Sequence, residues 1–329
     1  MPREPVHVTV SGASGQVSYA LLSRIASGQL LGHDQPVVLR LLDIEPAMAA
    51  LEGVVMELDD GAHPLLAGIE ATSDPKIAFD GASWILLVGS VPRKEGMERG
   101  DLLKINGSIF GPYGAEINAH AASDVRVLVV GNPCNTNCLI ARSHAPDVPD
   151  DRWFAMTRLD ENRARTQLAK KAGVHHAQVT NMAIWGNHSA TQYPDFAHAR
   201  ISGTPVPEVI ADVEWLRGEF IEIIQKRGAA IIAKRGVSSA ASAAHAIIDS
   251  VNSIHAPTPG DDWHSLAVVS HGEYDIPEGL VFGFPIRSAG ESWAVVEGLE
   301  HDDFAREKIA ATSRELLDER DLVRELLGS

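Results

Sequence analysis

The segment VHVTVSGASG, at residues 6–15, is an apolar strand-like run that ends in a glycine-containing turn. The alternation of its first residues favours a β-strand, and Gly12 and Gly15 permit a tight turn. Beyond the turn, apolar residues such as Leu22 and Ile25 recur with helical spacing. The segment therefore predicts a strand, a turn and a helix in direct succession.

The same alternation of apolar strands and helices continues through the first half of the chain. Strands are predicted at residues 37–42, 84–88 and 125–130, with helices from Pro46 and over residues 101–122. Near-continuous apolar strands that alternate with helices are typical of a parallel sheet covered on both faces. We therefore predict an α/β fold with a doubly wound parallel sheet.

The second half has a different pattern of helices and short strands. In chain order it offers a helix over residues 160–171, a strand toward Trp185, a long Ala-rich helical region over 207–248, short strands around Ala267, Leu280 and Val295, and an amphipathic helix over 302–327. A chain of 329 residues exceeds the size at which one core usually stops growing. We therefore predict two domains, at residues 1–156 and 157–329.

The overall composition excludes several classes of partner. The formal net charge is -16 and the pI is about 5.3, whereas binding to a phosphate backbone needs a basic face. No apolar stretch reaches the roughly 18 residues that a membrane span requires, and no apolar segment typical of a secretory signal precedes the first strand. We expect a cytoplasmic protein that binds neither nucleic acid nor membranes.

The chain contains only two cysteines, Cys134 and Cys138. A disulfide framework or a cysteine-rich zinc site needs more thiols than these. We expect both cysteines to be small packing residues.

The glycine turn after the first strand can approach an anionic ligand closely. Backbone amides near Gly12 and Gly15 can reach a pyrophosphate, whose charge the N-terminus of the following helix stabilises. Asp43, at the end of the second predicted strand, can accept hydrogen bonds from a ribose diol. These residues favour a dinucleotide site, and the alternative is a glycine turn in a nucleotide-free sheet with an exposed Asp43.

A charged segment that contains two glycines follows the strand at residues 84–88. Arg93 and Arg99 lie six residues apart in this segment, and both guanidinium groups could turn inward when it closes over an anion. The alternative is a solvated run of charges without a ligand.

Asp160, Arg163 and His188 form a further group of chemically capable residues. On a helix, Asp160 and Arg163 are about one turn apart and can face the same side. Arg163 could then bind a carboxylate with two hydrogen bonds, while Asp160 accepts one from His188 and fixes its tautomer. Such a set fits hydride transfer to a small 2-keto acid. The alternative is a local helix ion pair and an unrelated histidine, one of 14 in the chain.

Longer motifs surround these residues and extend over nearly the whole chain. They are GASGQV from Gly12, PR from Pro92 with DLL from Asp101, VGNP from Val130, LDxNR from Leu159, WGNHS from Trp185, RGxSSAASAA from Arg235 and IPEG from Ile276. These runs closely resemble the NAD-dependent malate dehydrogenases of the cytosolic type. The resemblance implies a Rossmann-type first domain, an α+β catalytic second domain, NAD as cofactor, no metal and a homodimer.

The resemblance also implies a role for each matching polar residue. His188 would donate and accept the proton, and Asp160 would orient it. Arg163 would bind the C1 carboxylate of the substrate, Arg99 would polarise the carbonyl group, and Arg93 would bind the distal anionic group. The expected catalytic residues are therefore His188, Asp160 and Arg99.

A set of cofactor contacts follows from the same resemblance. Asn106 and Asn132 match positions around the nicotinamide, and Asn132 also matches a substrate contact. The full expected set is Gly12, Ser14, Gly15, Gln16, Val17, Asp43, Gly89, Asn106, Tyr113, Val130 and Asn132. Since the Asp43 carboxylate would repel the extra phosphate of NADP, we expect a preference for NAD.

Several positions depart from the family pattern. Ser18 replaces the third glycine of the turn motif, Glu161 stands where a histidine is usual, and Tyr113 stands where a glutamine is common. Cys134 and His245 are also unexpected at their positions. None of these departures removes a catalytic group, but several lie around the expected pocket and bear on the identity of the substrate.

The simplest substrate pair is malate and oxaloacetate. A specialised relative that reduces an oxaloacetate analogue is the alternative within the class, and phosphonopyruvate is its most concrete substrate, because a guanidinium group binds carboxylate and phosphonate alike. A dinucleotide-binding protein that has lost turnover is the alternative from another class. The retained set of Arg93, Arg99, Asp160, Arg163 and His188 argues against that alternative.

Overall fold

The computed structural model describes residues 3–91, 98–290 and 292–328, apart from the side chain of Arg99. The described residues form two compact units. The first unit draws on Met1–Ala155, Ala240–Val251 and Glu319–Ser329, and the second on Met156–Ser239 and Asn252–Asp318. The domain boundary predicted after residue 156 stays a prediction. By packing, two later segments of the chain belong to the first unit.

The first unit is built on a parallel sheet. Its strands are β1 (Val6–Ser11), β2 (Val37–Leu42), β3 (Leu66–Thr72), β4 (Trp84–Leu87), β5 (Arg126–Val129) and β6 (Trp153–Ala155). They lie in the order β3-β2-β1-β4-β5-β6, and every neighbouring pair is parallel. The predicted Rossmann-type sheet is therefore confirmed. The order reverses between β1 and β4, and such switch points are where open α/β sheets bind their ligands.

The helices of the first unit cover this sheet. They are α1 (Gln16–Ala26), α2 (Met48–Asp60), α3 (Pro75–Phe79), α4 (Arg99–His120) and α5 (Cys134–Ser143). Helix α1 buries Leu21, Leu22 and Ile25, and each such side chain contributes about 1.5–3 kcal/mol when it leaves water. Buried strands and the buried face of α1 account for the apolar periodicity of the first half.

The second unit combines one central helix with short strands. Its elements, including those that continue into the first unit, are α6 (Arg158–Ala172), β7 (Val179–Thr180), β8 (Ala183–Trp185), β9 (Tyr193–Asp195), β10 (Arg200–Ile201), β11 (Thr204–Pro205), α7 (Val206–Val209), α8 (Val213–Arg217), α9 (Glu219–Arg235), α10 (Ala241–His255), β12 (His264–Val269), β13 (Val281–Ser288), β14 (Trp293–Val295) and α11 (Asp303–Leu322). Strands β12, β13 and β14 pair in antiparallel order, and β8 pairs with β9. The expected α+β character of this part is confirmed.

The helical region predicted over residues 207–248 is confirmed, and in the structure it is divided among the four helices α7 to α10. Asp212 caps α8 by accepting a hydrogen bond from the Trp215 amide at 3.1 Å. Gly236 ends α9 in the left-handed region at φ +75, where glycine is favoured over residues with a side chain. The capping carboxylate and the glycine therefore divide a run whose composition alone favours a continuous helix.

No helix in the described part of the chain is both long and apolar enough to cross a lipid bilayer.

Candidate active site

Glycines leave the carboxyl ends of three neighbouring strands in the first unit without side chains. Gly12 follows β1 at φ +62, and a Cβ atom added to it would lie 2.5 Å from the Cα atom of Gly89, which follows β4. A Cβ atom on Gly131, after β5, would lie 2.7 Å from the carbonyl oxygen of Gly89. Only glycine fits these positions, so the backbone stays open to a phosphate-bearing ligand at the switch point of the sheet.

The N-terminus of α1 provides donors for such a ligand. Gly15 is the N-cap residue, and within the described residues no side chain caps the helix there. The amides of the first turn, which includes Gln16 and Val17, therefore point out of the helix together with the positive end of its dipole. This geometry fits the pyrophosphate of a dinucleotide.

Ser18 fits its position without distorting the helix. The residue is fully buried, and its Oγ atom has no hydrogen-bond partner among the described residues. The serine therefore leaves one buried hydroxyl without a hydrogen bond, but the turn and the helix keep their geometry.

Asp43 is held beside the glycine turn. The backbone amide of Ser14 donates to Asp43 Oδ2 at 2.9 Å, and the Ser14 hydroxyl donates to the same oxygen at 2.6 Å. Asp43 Oδ1 accepts from the Ile44 amide at 2.9 Å. These bonds fix the carboxylate at the end of β2, where a ribose diol is bound in sheets of this kind.

Asn106 has a function that the sequence did not suggest. Its buried side-chain amide donates to the carbonyl oxygens of Val91 at 3.2 Å and Leu102 at 3.0 Å, and it accepts from the Val91 amide at 2.9 Å. Asn106 therefore anchors the last residue before the charged segment that contains Arg93. Its contact with the nicotinamide stays a prediction.

Tyr113, Val130 and Asn132 differ in their surroundings. The ring of Tyr113 packs edge-on against Phe79 at 5.5 Å, and burial together with the charge of Asp43 raises the pKa of its phenol. Val130 is buried, whereas Asn132 is exposed just beyond the carboxyl end of β5. Their contacts with the cofactor stay predictions.

The second unit brings Asp160, Arg163 and His188 into direct contact. Asp160 lies in the first turn of α6 and is fully buried. Its Oδ2 atom is hydrogen-bonded to His188 Nδ1, and its Oδ1 atom accepts from an Arg163 guanidinium nitrogen at 2.9 Å. The helix ion pair and the histidine are therefore parts of one arrangement.

The Asp160 carboxylate remains charged in this arrangement. Burial alone would raise its pKa, but the contacts with His188 and Arg163 outweigh burial, and the net effect is to lower the pKa. Gln192 contributes a further side-chain hydrogen bond to the carboxylate. Because His188 Nδ1 is committed to Asp160, a proton exchanged with a substrate would use Nε2.

The turn that carries His188 is held by α11. Gly186 lies at φ +94, and a Cβ atom on it would approach the Thr312 side chain to 2.1 Å. The Asn187 amide donates to Thr312 Oγ1 at 2.9 Å, and the Asn187 side chain donates to Glu315 Oε2 at 3.0 Å. Contacts on both sides of the turn thus define where His188 projects.

One carboxylate oxygen of Glu315 accepts several hydrogen bonds from this turn. Besides Asn187, the hydroxyls of Ser189 and of Thr191, the latter at 2.6 Å, donate to Glu315 Oε2. The sequence indicated only that α11 has an apolar stripe. Its polar partners lie more than a hundred residues earlier in the chain, so no local pattern could have found this contact.

Arg163 is positioned by the Ser239 hydroxyl as well as by Asp160. Its side chain is 13% exposed and bridges Asp160 to the Ser239 hydroxyl, which lies 3.4 Å from its other terminal nitrogen. A guanidinium group carries five N–H donors, so both contacts leave donors for an anion. Binding of a substrate carboxylate by Arg163 stays a prediction.

Glu161, the next residue after Asp160, belongs to a separate network. Its buried carboxylate accepts from the Ser265 amide at 2.7 Å and lies 3.5 Å from Arg158 and 3.6 Å from Arg165. Burial raises the pKa of Glu161, while both arginines and the Ser265 amide oppose the increase. The residue ties α6 to β12, which gives this departure from the family pattern a structural basis.

Two predicted substrate residues cannot be placed. Arg93 lies outside the described residues, and so does the side chain of Arg99, whose backbone begins α4. Their roles stay predictions.

The remaining sequence features concern packing. Cys134 and Cys138 are both buried and are not joined in a disulfide, which fits their assignment as small packing residues. Burial raises the pKa of the Cys138 thiol, so this thiol is unreactive. His245 lies in the first unit, where its Nδ1 atom is 2.9 Å from an Arg24 guanidinium nitrogen.

Comparison with known proteins identifies matches over the whole chain. Residues 6–154 match the NAD binding domain of lactate/malate dehydrogenases, and residues 157–326 match the α/β C-terminal domain of the same proteins. The matches therefore cover both halves.

Solved structures of similar proteins include both kinds of dehydrogenase. A malate dehydrogenase from Naegleria fowleri is 46% identical with a TM-score of 0.95, over 99% of this chain and 100% of that chain. A lactate dehydrogenase from Trichomonas vaginalis, in complex with NADH and oxamate, is 38% identical with a TM-score of 0.93, over 98% of each chain. A malate dehydrogenase from Salinibacter ruber, 21% identical over 98% of each chain, shares the fold with a TM-score of 0.81.

Proposed function

Because this chain belongs to the lactate/malate dehydrogenase family and is an NAD-dependent dehydrogenase, we propose that it interconverts a 2-hydroxy and a 2-keto diacid, most simply malate and oxaloacetate. The observation that carries the proposal is the buried Asp160 carboxylate, bonded to both His188 and Arg163. One contact orients a proton carrier, and the other holds a donor for the carboxylate that every 2-keto acid presents.

The residues of each unit have separate roles in the proposed reaction. The glycine turn and Asp43 of the first unit would hold NADH, which would supply the hydride. His188 Nε2 delivers a proton to the carbonyl oxygen of the keto acid in the reduction and accepts one from the hydroxyl group in the oxidation. The negative charge of Asp160 stabilises the imidazole while it carries the proton. Arg163 binds the C1 carboxylate and so keeps the carbonyl oxygen within hydrogen-bonding distance of His188 Nε2.

The preference for a diacid rests on Arg93. Similar structures include a malate dehydrogenase and a lactate dehydrogenase, whose substrates differ by a distal carboxylate. A guanidinium group at the distal end would neutralise a second acidic group, and pyruvate has none. Phosphonopyruvate is the alternative substrate, because its phosphonate offers the same bidentate oxygens. The malate and oxaloacetate pair would place the enzyme in the tricarboxylic acid cycle.

We also propose a cytoplasmic homodimer. The dimer is supported by the resemblance to the cytosolic type of malate dehydrogenase, and two cysteines that form no disulfide suit a reducing compartment. Light scattering of the purified protein tests the subunit number, and cell fractionation tests the compartment.

Replacement of His188 by asparagine tests the proposed reaction. Since general acid catalysis is worth about 10² to 10⁴ in rate, turnover should fall at least about a hundredfold. NADH binding, followed by its fluorescence, should change little because the dinucleotide is held mainly by residues of the first unit. The matched control is His176→Asn, which changes an exposed histidine of the same unit. A well-folded His188→Asn protein with near-normal turnover would remove His188 from the mechanism.

A further inference from the structure

A second group of titratable side chains lies in the second unit, apart from the Asp160 and His188 pair. Asp195 ends β9 and is fully buried, His198 follows in the turn toward β10, and His301 precedes α11. The ligand atoms of the three residues all lie within 4.8 Å of one another. His198 Nδ1 is 2.8 Å and His301 Nε2 is 3.5 Å from Asp195 Oδ2. We call this group the Asp195 cluster.

His301 is the most loosely held member of the Asp195 cluster. Its side chain is only 7% exposed, and its Nε2 atom makes a long contact of 3.5 Å with Asp195 Oδ2 but no well-aligned hydrogen bond among the described residues. Buried polar atoms are nearly always hydrogen-bonded, so each exception calls for an explanation. The His301 imidazole faces a carboxylate oxygen and lies near a second imidazole, an arrangement that a metal ion can bridge.

The other two members are oriented as metal ligands usually are. Asp195 Oδ1 accepts from the amides of Ala197 at 3.1 Å and His198 at 3.3 Å, which fixes the plane of the carboxylate. Asp195 Oδ2 accepts from Trp185 Nε1 at 3.1 Å. His198 also hydrogen-bonds to the backbone at Glu300. A histidine ligand typically donates its second ring N–H to a carbonyl oxygen in this way.

We propose that Asp195 Oδ2, His198 Nδ1 and His301 Nε2 bind a divalent transition-metal ion of the zinc type. Two imidazoles and one carboxylate suit Zn²⁺ or Co²⁺, whereas Ca²⁺ and Mg²⁺ prefer oxygen ligands alone. Water completes the tetrahedron from the side of His198, whose side chain is 20% exposed. The proton shared between His198 and Asp195 leaves to solvent as the ion binds.

The bound ion stabilises the framework of the second unit. It joins the end of β9 to the segment that enters α11, the helix whose Thr312 and Glu315 hold the His188 turn. Trp185 links the two regions, because its indole donates to Asp195, its ring packs edge-on against His301 at 4.7 Å, and it lies three residues before His188. The metal takes no part in hydride transfer, so the proposal is independent of the substrate.

Cobalt binding to the full-length, chelator-treated protein tests this proposal. We expect one equivalent of Co²⁺ to give the intense visible absorption of a tetrahedral centre, to quench tryptophan fluorescence through Trp185, and to be displaced by Zn²⁺. Loss of metal-orienting groups typically weakens binding by about 10- to 100-fold, so removal of a direct ligand by His301→Asn should weaken it at least about a hundredfold. Zn²⁺ should raise the unfolding temperature of the wild-type protein and not that of the variant.

The control is His245→Asn. The His245 side chain is 57% exposed, and its Nε2 atom lies 3.5 Å from Asp249 Oδ2. The two residues form a histidine–carboxylate pair outside the Asp195 cluster. This variant should keep the tetrahedral cobalt spectrum. Weak octahedral absorption in the wild-type protein, or equal Co²⁺ affinity in His301→Asn and wild type, would show that the ion binds only at surface histidines and would overturn the proposal. The wild-type spectrum decides the matter even if the variant fails to fold.

Discussion

Replacement of Asp160 by asparagine removes one negative charge from the centre of the site with almost no change in volume. In the unmodified protein, the Asp160 carboxylate contacts both His188 and Arg163. Two unit charges about 4 Å apart interact by roughly 4 kcal/mol at an effective dielectric constant near 20. That energy stabilises the proton-carrying imidazole, and about 1.4 kcal/mol corresponds to a factor of ten in rate. We therefore expect kcat to fall about a thousandfold in both directions.

The assay is steady-state NADH oxidation with oxaloacetate and NAD reduction with malate, alongside NADH binding by fluorescence. Binding of NADH should change little. The control is Glu161→Gln, which neutralises an equally buried carboxylate one residue further along α6 that contacts Arg158, Arg165 and Ser265. Its turnover should stay near that of the wild type. A folded Asp160→Asn protein with near-normal kcat, or an equal loss in Glu161→Gln, would refute the reasoning.

The unmodified enzyme should prefer NADH to NADPH, because Asp43 and a phosphate about 4 Å away at an effective dielectric constant near 20 repel by roughly 4 kcal/mol per charge pair. Equal kcat/KM with both cofactors would contradict this assignment. Arg93→Gln should lower kcat/KM for a diacid about ten- to a hundredfold and spare pyruvate, since hydrogen bonds to charged groups contribute roughly 1.5–3 kcal/mol. An unchanged preference over pyruvate would show that Arg93 does not bind the distal group. Burial and the charge of Arg158 lower the pKa of His264 to about 3, so this histidine gains a proton on unfolding below its usual pKa. Its contribution is therefore complete above about pH 6.5 and is lost as the pH falls toward 3, at about 1.4 kcal/mol per pH unit. Between pH 6 and pH 4, the free energy of unfolding from denaturant titration should change with pH less steeply in His264→Gln than in the wild type, by nearly one proton, and an identical pH dependence would contradict this assignment.

The parts of the fold that local pattern determines could be predicted. Strand β2 matches the predicted residues, and β4 differs from prediction by one residue. The residues of β4 are all buried and apolar, and those of β1 alternate between apolar and polar, so each strand has a local pattern that reveals it. Asp160 and Arg163 could be paired for the same reason, since helical spacing alone brings them to one face. The turn at Gly12 could also be predicted from its glycines. In the structure, Gly12 approaches Gly89 so closely that no side chain would fit there.

Features that depend on distant partners could not be predicted. Strand β3 lies at the edge of the sheet and contains no fully buried residue, so it has no apolar run to reveal it. Glu315 and His301 are separated from their partners by about a hundred residues or more, and each resembles an ordinary polar residue near or within an amphipathic helix. Asn106 matches a family cofactor position, yet its amide is satisfied by Val91.

A side-by-side assay of NADH oxidation with oxaloacetate, pyruvate and phosphonopyruvate tests the central claim most directly. We predict the highest kcat/KM for oxaloacetate and the lowest for pyruvate, because only the diacids present a distal anion to Arg93. A higher value for phosphonopyruvate than for oxaloacetate would identify the phosphonate as the preferred distal group. A higher value for pyruvate than for both diacids, or no turnover of any of the three by folded protein that binds NADH, would contradict the proposal.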